Sequence, residues 1–192
     1  MDADKSHVLD LRPDESDAEW GRRPRWCRAL LRLCRVEVEY RTETVRKLKA
    51  PGPLVVTCNH QSYIDGPIIA LASPVPMLYA VDPVFARDNP WTSRALGALA
   101  AAGLGSVIPV SNESPTGVRH LLRALRAGGK VMIFPEGGIS ENGVPKSGAP
   151  GVEWLKARSG ARECAIQIEG AHRSRVFGKR GESWRPRVRL RF

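Results

Sequence analysis

Pro53-Leu54-Val55-Val56-Thr57-Cys58-Asn59-His60-Gln61-Ser62-Tyr63-Ile64-Asp65-Gly66-Pro67-Ile68-Ile69-Ala70-Leu71 passes from one unbroken apolar run, through a polar loop, into another. The first run, Pro53 to Cys58, is short and rich in β-branched residues, which reads as a strand buried on both faces. Pro67 to Leu71 continues as an apolar helix. The segment from Asn59 to Asp65 is therefore a strand-to-helix junction, with His60 in the loop at the strand's end and Asp65 in the first turn of the helix.

Working outward, the same alternation repeats. Val36 to Tyr40 alternates like a strand, and Met77 to Val81 reads as another. Trp91 to Ala102 is Ala- and Leu-rich and predicts a helix ended by Gly103. Gly105 to Val110 is a strand, and Ser114-Pro115 opens a helix through Val118, Leu121, Leu122 and Leu125 that Gly128-Gly129 closes. Lys130 to Phe134 is a strand that leads into Pro135-Glu136-Gly137-Gly138. Ala149 to Arg158 is a helix closed by Gly160, and Cys164 to Ile168 a strand. Arg187-Val188-Arg189-Leu190-Arg191-Phe192 places three Arg on one face and three apolar residues on the other. Strand–helix–strand order throughout predicts an α/β fold: a single domain over residues 21–192 with a central mixed sheet flanked by helices.

A chain of 192 residues with 42% apolar content holds one domain with a sizeable core. Thirty Lys and Arg against twenty Asp and Glu give a net charge of +10, which favours an anionic partner. That charge comes from the flanks. Residues 21–49 hold ten bases against three acids, and residues 171–192 eight bases against Glu182. Residues 1–20 are acidic, have few large apolar groups and contain Pro13, so they read as a disordered tail rather than a secretory signal. After Pro24, Arg25, Arg28, Arg32 and Arg35 fall on one helical stripe while Trp26, Leu30 and Leu33 fill another. Residues 25–36 thus predict an amphipathic helix suited to an anionic membrane surface. No run of about 18 apolar residues exists to span a bilayer, so the expectation is a peripheral protein on the cytoplasmic side of the membrane. Nucleic acid is not expected, because the basic flanks carry no aromatic-basic or zinc signature. The cysteines Cys27, Cys34, Cys58 and Cys164 form no CxxC pair and no metal-ligand spacing with histidine, so no metal site is expected.

His60 and Asp65 are the strongest chemical pair. A hydroxyl is too weakly acidic to attack an ester or thioester unaided, and a histidine held by a carboxylate supplies the base. Two other readings stay open on spacing alone: Ser62-Tyr63-Ile64-Asp65 is also a capping box, and His60 alone is also an ordinary loop histidine. Phe134-Pro135-Glu136-Gly137-Gly138 ends a buried strand, where glycine lets a ligand approach backbone and a carboxylate can bind hydroxyls. Lys146-Ser147-Gly148-Ala149 before a helix reads as an anion site.

Together, in this order, these segments resemble the glycerolipid acyltransferase family of the lysophosphatidate type. Asn59 to Asp65 is similar to its N-H-x-x-x-x-D first block, and Gly105-Ser106-Val107-Ile108-Pro109-Val110 stands in place of its second. Phe134-Pro135-Glu136-Gly137 resembles the F-P-E-G third block, Lys146-Ser147-Gly148-Ala149 the K-x-G-A that follows, and Ala165-Ile166-Gln167-Ile168 the fourth. Val131 to Gly170 looks most like the acyltransferase part of bifunctional acylglycerophosphoethanolamine acyltransferase/acyl-carrier-protein synthetases. The resemblance implies acyl transfer from coenzyme A or acyl carrier protein to a lysophospholipid hydroxyl, with no further cofactor. His60 would be the base oriented by Asp65, and Asn59, Ser62, Glu136, Gly137 and Lys146 would serve the substrate.

Two departures stand out. The second block usually ends in an Arg, and Val110-Ser111-Asn112 supplies none. The third block often carries one after Glu-Gly, where Gly138, Ile139 and Ser140 stand here. These absences favour a phosphodiester lysolipid or a non-glycerophosphate acceptor over a bare phosphomonoester, with Lys146 and Arg94 as candidate replacements. They also admit a catalytically silent lipid-binding module of the same fold.

Overall fold

The computed structural model describes residues 13–83, 90–111, 115–144 and 151–192. Seven strands form one mixed sheet: β1 (Val36–Glu39), β2 (Leu54–Cys58), β3 (Met77–Val81), β4 (Gly105–Pro109), β5 (Lys130–Ile133), β6 (Arg162–Glu169) and β7 (Val188–Arg191). Their order is β1-β7-β6-β2-β5-β3-β4. All neighbours are parallel except β6 and β7, which run antiparallel. Every residue of β2 is buried, because it lies between β5 and β6 with packed layers on both sides. The α/β expectation with a mixed sheet is met.

Alternation along the strands divides two cores. Leu54, Val56 and Cys58 join Met132, Cys164, Ile166 and Ile168 on one face. That face packs against α2 (Arg25–Leu33) and α4 (Asp65–Ala72), whose eight residues are all buried. Val55 and Val131 face the other way, onto α6 (Pro115–Arg126) and α7 (Gly151–Ser159), through Leu121, Leu125, Val152 and Leu155. Between these lies α5 (Pro90–Ala101). Helix α6 sits so close to β4 that a Cβ at Gly117 would stand 2.3 Å from the Pro109 carbonyl oxygen. The terminal alternation holds as well: Arg191 pairs with Glu39 at 3.2 Å and Glu169 at 2.6 Å, while Val188 and Leu190 are buried.

Two expectations need correction. Residues 1–12 lie outside the described residues, but Pro13–Arg22 is a helix, α1, not disordered tail. Glu19 explains why: it is 4% exposed, and its Oε2 accepts from Arg22 Nη1 at 2.9 Å and Lys49 Nζ at 2.6 Å. Lys49 ends α3 (Thr42–Lys49), a helix the polar sequence Thr42-Glu43-Thr44-Val45-Arg46-Lys47-Leu48-Lys49 conceals, since Leu48 is its buried residue. Trp20 packs on the core beside Glu19. Helix α2 is also shorter than the expectation over residues 25–36. It ends at Leu33, and its inward residues are Cys27 and Leu31, leaving Trp26, Leu30 and Leu33 exposed along one stripe.

Burial alone would raise the Glu19 carboxyl, but hydrogen bonds and charge from Lys49 and Arg22 outweigh it and hold it below its ordinary value of 4.5. A depressed carboxyl contributes stability that is present above its unfolded pKa and lost as pH falls through its folded one. Glu19→Gln should therefore lower Tm at neutral pH, with the gap to wild type closing once pH drops below the ordinary glutamate range. Thermal unfolding across pH checks this, and a gap that persists at low pH would contradict it.

Candidate active site

Strands β2 to β6 all point their C-terminal ends to one edge, and the loops that follow them build the site. After β2 the chain turns through Asn59-His60-Gln61-Ser62 into α4. His60 Nδ1 lies 2.9 Å from Asp65 Oδ2. The same oxygen accepts the backbone N–H groups of Gln61 at 2.6 Å and Ser62 at 2.8 Å, and Ser62 Oγ donates to Asp65 Oδ1 at 2.5 Å. Asp65 is fully buried, a position a carboxylate holds only when its oxygens are satisfied. The α4 N-terminus adds a favourable dipole. The capping reading and the histidine-orienting reading thus describe one arrangement: Asp65 reaches back to the Ser62 N–H as a capping acid does, and holds His60 as well.

The imidazole stacks on Phe134, with ring centroids 4.0 Å apart and planes 15° apart. Its backbone is fixed on both sides: His60 N–H donates to Glu136 Oε1 at 3.2 Å, and His60 C=O accepts from Ser140 N–H at 2.8 Å. Gly137 ends the Phe134–Gly137 turn with φ +64°, a left-handed conformation that favours glycine. Ser140 is buried and donates through Oγ to the Val144 carbonyl at 2.9 Å, so this position is a structural hydroxyl.

A cavity of about 970 Å³ opens beside His60, at the upper end for small-ligand sites. His60, Tyr63, Phe134 and Gly137 line it from the loops, and Val118, Leu121, Val152 and Leu155 line it from α6 and α7. A second hollow, about 440 Å³, lies past the loop against Asn59 and Glu136. Glu136 Oε2 faces no hydrogen-bond partner although buried.

The predicted residues therefore separate. His60 and Gly137 line the large cavity, and Asp65 lies buried behind His60. Ser62 is fully buried and bonded to Asp65, and Asn59 clamps β6 by giving Nδ2 to the Ile168 carbonyl and taking the Ile168 N–H on Oδ1. Both reach the site through other residues. Lys146 lies outside the described residues. Arg94 stacks over Trp91 at 5.4 Å, away from the cavity lining.

Gln61 went unnoticed in the sequence. Buried, it takes Ala171 N–H on Oε1 at 3.2 Å and gives Nε2 to the Gly143 carbonyl at 3.1 Å, tying the His60 loop to two others. Its only sequence signal was a polar residue between two apolar runs. Cys58, just before the loop, is no nucleophile: burial, then the Asp65 charge, pushes its thiol well up. Among the described residues no group of three or more His, Cys, Asp or Glu could hold a metal.

A family model described as Acyltransferase matches residues 37–175. Among solved structures, the crystal structure of the 1-acyl-sn-glycerophosphate (LPA) acyltransferase PlsC from Thermotoga maritima is similar to this chain. The TM-score is 0.57 at 18% identity, covering 94% of this chain and 71% of that one. The likeness shows a shared fold.

Asp65→Ala should strip three N–H donors and one hydroxyl of their acceptor, and hydrogen bonds to a charged group are worth about 1.5–3 kcal/mol each. Asp65→Asn keeps an oxygen for the N–H groups and can donate to Ser62 Oγ. Urea unfolding should rank stability as wild type, then Asp65→Asn, then Asp65→Ala, and equal stability of Asp65→Ala and wild type would contradict the geometry.

Proposed function

The chain belongs to the acyltransferase family, and from that premise we propose that it moves a fatty acyl group from a thioester of coenzyme A or acyl carrier protein to the free hydroxyl of a lysophospholipid. The observation that carries this reading is the His60–Asp65 contact at 2.9 Å beside a cavity with an apolar trough.

Asp65 holds the proton on His60 Nδ1, which leaves the lone pair on Nε2. Nε2 takes the proton of the acceptor hydroxyl as its oxygen attacks the thioester carbonyl. The tetrahedral intermediate collapses, the C–S bond breaks, and the imidazolium returns the proton to the departing sulfur. The buried Asp65 carboxylate stabilises that imidazolium, and Phe134 keeps the ring from rotating out of line. Val118, Leu121, Val152 and Leu155 give the acyl chain an apolar bed, at about 0.8 kcal/mol per buried CH₂. Glu136 and Gly137 shape the approach of the acceptor, Glu136 through its hold on the His60 N–H.

Such an acceptor resides in a membrane. Among the described residues no helix is long and apolar enough to cross one. The exposed Trp26, Leu30 and Leu33 of α2, flanked by Arg25 and Arg32, fit an anionic interface, with Trp at headgroup depth and guanidinium on phosphate. The protein in this reading works from the surface, peripherally.

Thiol release with acyl-CoA and a panel of lysolipids tests the chemistry. His60→Ala should cut turnover at least about a hundredfold, the size of a lost general base, with thermal unfolding close to wild type. Equal turnover of the two would sink the reading, and no turnover in either would leave a silent lipid-binding module. For the membrane, replacing Trp26, Leu30 and Leu33 with Ser should reduce co-sedimentation with anionic vesicles and leave Tm unchanged, because all three are exposed. Undiminished co-sedimentation would place the contact elsewhere.

A further inference from the structure

We infer that Arg119 and Lys179, both in the lining of the large cavity, hold a substrate phosphate ester, in place of the arginines that the sequence lacks around Val110 and Ser140. This rests on the acyl-transfer reading and deepens it.

Both residues line the same cavity as His60. They come from different elements of the fold. Arg119 stands in the second turn of α6, the helix that follows the β4 connection and that Gly117 brings against Pro109. Lys179 belongs to the loop after the short 3₁₀ turn Ala171–Arg173. That loop is fastened to the catalytic segment: Tyr63 N–H donates to the Phe177 carbonyl at 2.9 Å, two residues before Lys179 and three after His60. It is also wound tightly on itself. Phe177 N–H donates to Ser174 Oγ at 3.1 Å and Gly178 N–H to the Ser174 carbonyl at 2.8 Å, and a Cβ at Gly178 would meet the His172 carbonyl oxygen at 2.3 Å. The backbone that carries Lys179 is therefore positioned.

Their neighbours have other tasks. In the same loop Arg175 lies over Trp184 at 4.8 Å and Arg180 pairs with Glu141 at 3.1 Å. On α6, Arg126 donates to the Arg158 carbonyl. Arg119 and Lys179 have no ion-pair partner among the described residues. The one carboxylate in the described cavity lining, Asp82, already has an interaction of its own. An Arg near a helix N-terminus also stands against the helix dipole, an arrangement that an anion between them relieves. A guanidinium gives a phosphate two parallel hydrogen bonds and an ammonium adds a point charge, so the pair suits a phosphate ester. Both substrates of the proposed reaction carry one: the lysolipid headgroup and the pantetheine arm or nucleotide of the donor.

The test is steady-state kinetics of Arg119→Ala, Lys179→Ala and the double variant, with Arg123→Ala, an exposed position on the same helix outside the cavity lining, as the charge control. Acceptors are lysophosphatidate and phosphate-free monoacylglycerol, each against acyl-CoA. The double variant should raise KM at least tenfold for one phosphate-bearing substrate with kcat within about threefold, and Arg119→Lys should recover part of the loss. A rise for lysophosphatidate but not monoacylglycerol assigns the phosphate to the acceptor, and a rise for acyl-CoA assigns it to the donor. The inference is overturned if neither KM departs from that of Arg123→Ala, or if both acceptors weaken equally while acyl-CoA does not. Calorimetric binding of lysophosphatidate and of coenzyme A to His60→Ala, with and without the double change, reads the clamp without turnover. Loss of binding there, in a protein whose wild type transfers no acyl group, would sink the reaction and keep the phosphate site.

Discussion

A fully buried carboxylate organises this molecule. Asp65 cannot hold its charge in the core without donors, and it recruits four: two backbone N–H groups, one hydroxyl and the His60 ring. Because all four belong to three consecutive residues, His60 to Ser62, the demand of the carboxylate dictates the path of the chain from β2 into α4. The imidazole orientation is a consequence of that path. So is the insertion of α4, apolar on every side, into the layer between β2 and the N-terminal helices.

The remaining loops lock onto this junction. Asn59 borrows the backbone of Ile168 on β6, Gln61 reaches Gly143 and Ala171, and Glu136 and Ser140 grip the His60 backbone from either side. The five parallel strands supply the common edge on which these loops meet, and α6 and α7 leave a trough between them there. The histidine therefore shares one cavity with an apolar bed and polar loops, as the proposed transfer from a fatty acyl thioester to a lipid hydroxyl would require.

Much of the fold was legible because its strands carry strong local signals. Leu54 to Cys58 announces a buried strand, and Val188 to Arg191 announces a strand with one wet face. Helices α1 and α3 were illegible for a physical reason: each is polar and short, and what holds them is tertiary, chiefly the Glu19–Lys49 contact across 30 residues. In α2 the Trp26, Leu30 and Leu33 stripe was legible and lies exposed, whereas Cys27 and Leu31, which fasten the helix to the core, carried no distinct signal. At the site, His60 and Asp65 were readable from type and spacing. The roles of Asn59 and Ser62 were not, since polar residues in a catalytic loop look alike whether they meet substrate or backbone. Arg119 and Lys179, 60 residues apart, become neighbours of one cavity only in the folded chain.

The central claim is that Asp65 fixes the His60 tautomer and leaves Nε2 as the base. Nitrogen NMR of protein labelled with ¹⁵N-histidine addresses it directly, at a pH where the ring is neutral. The account predicts a protonated Nδ1 and an unprotonated Nε2 at His60 in wild type, with tautomer averaging in Asp65→Asn. A His60 ring protonated at Nε2, or one that averages equally in both proteins, would contradict it.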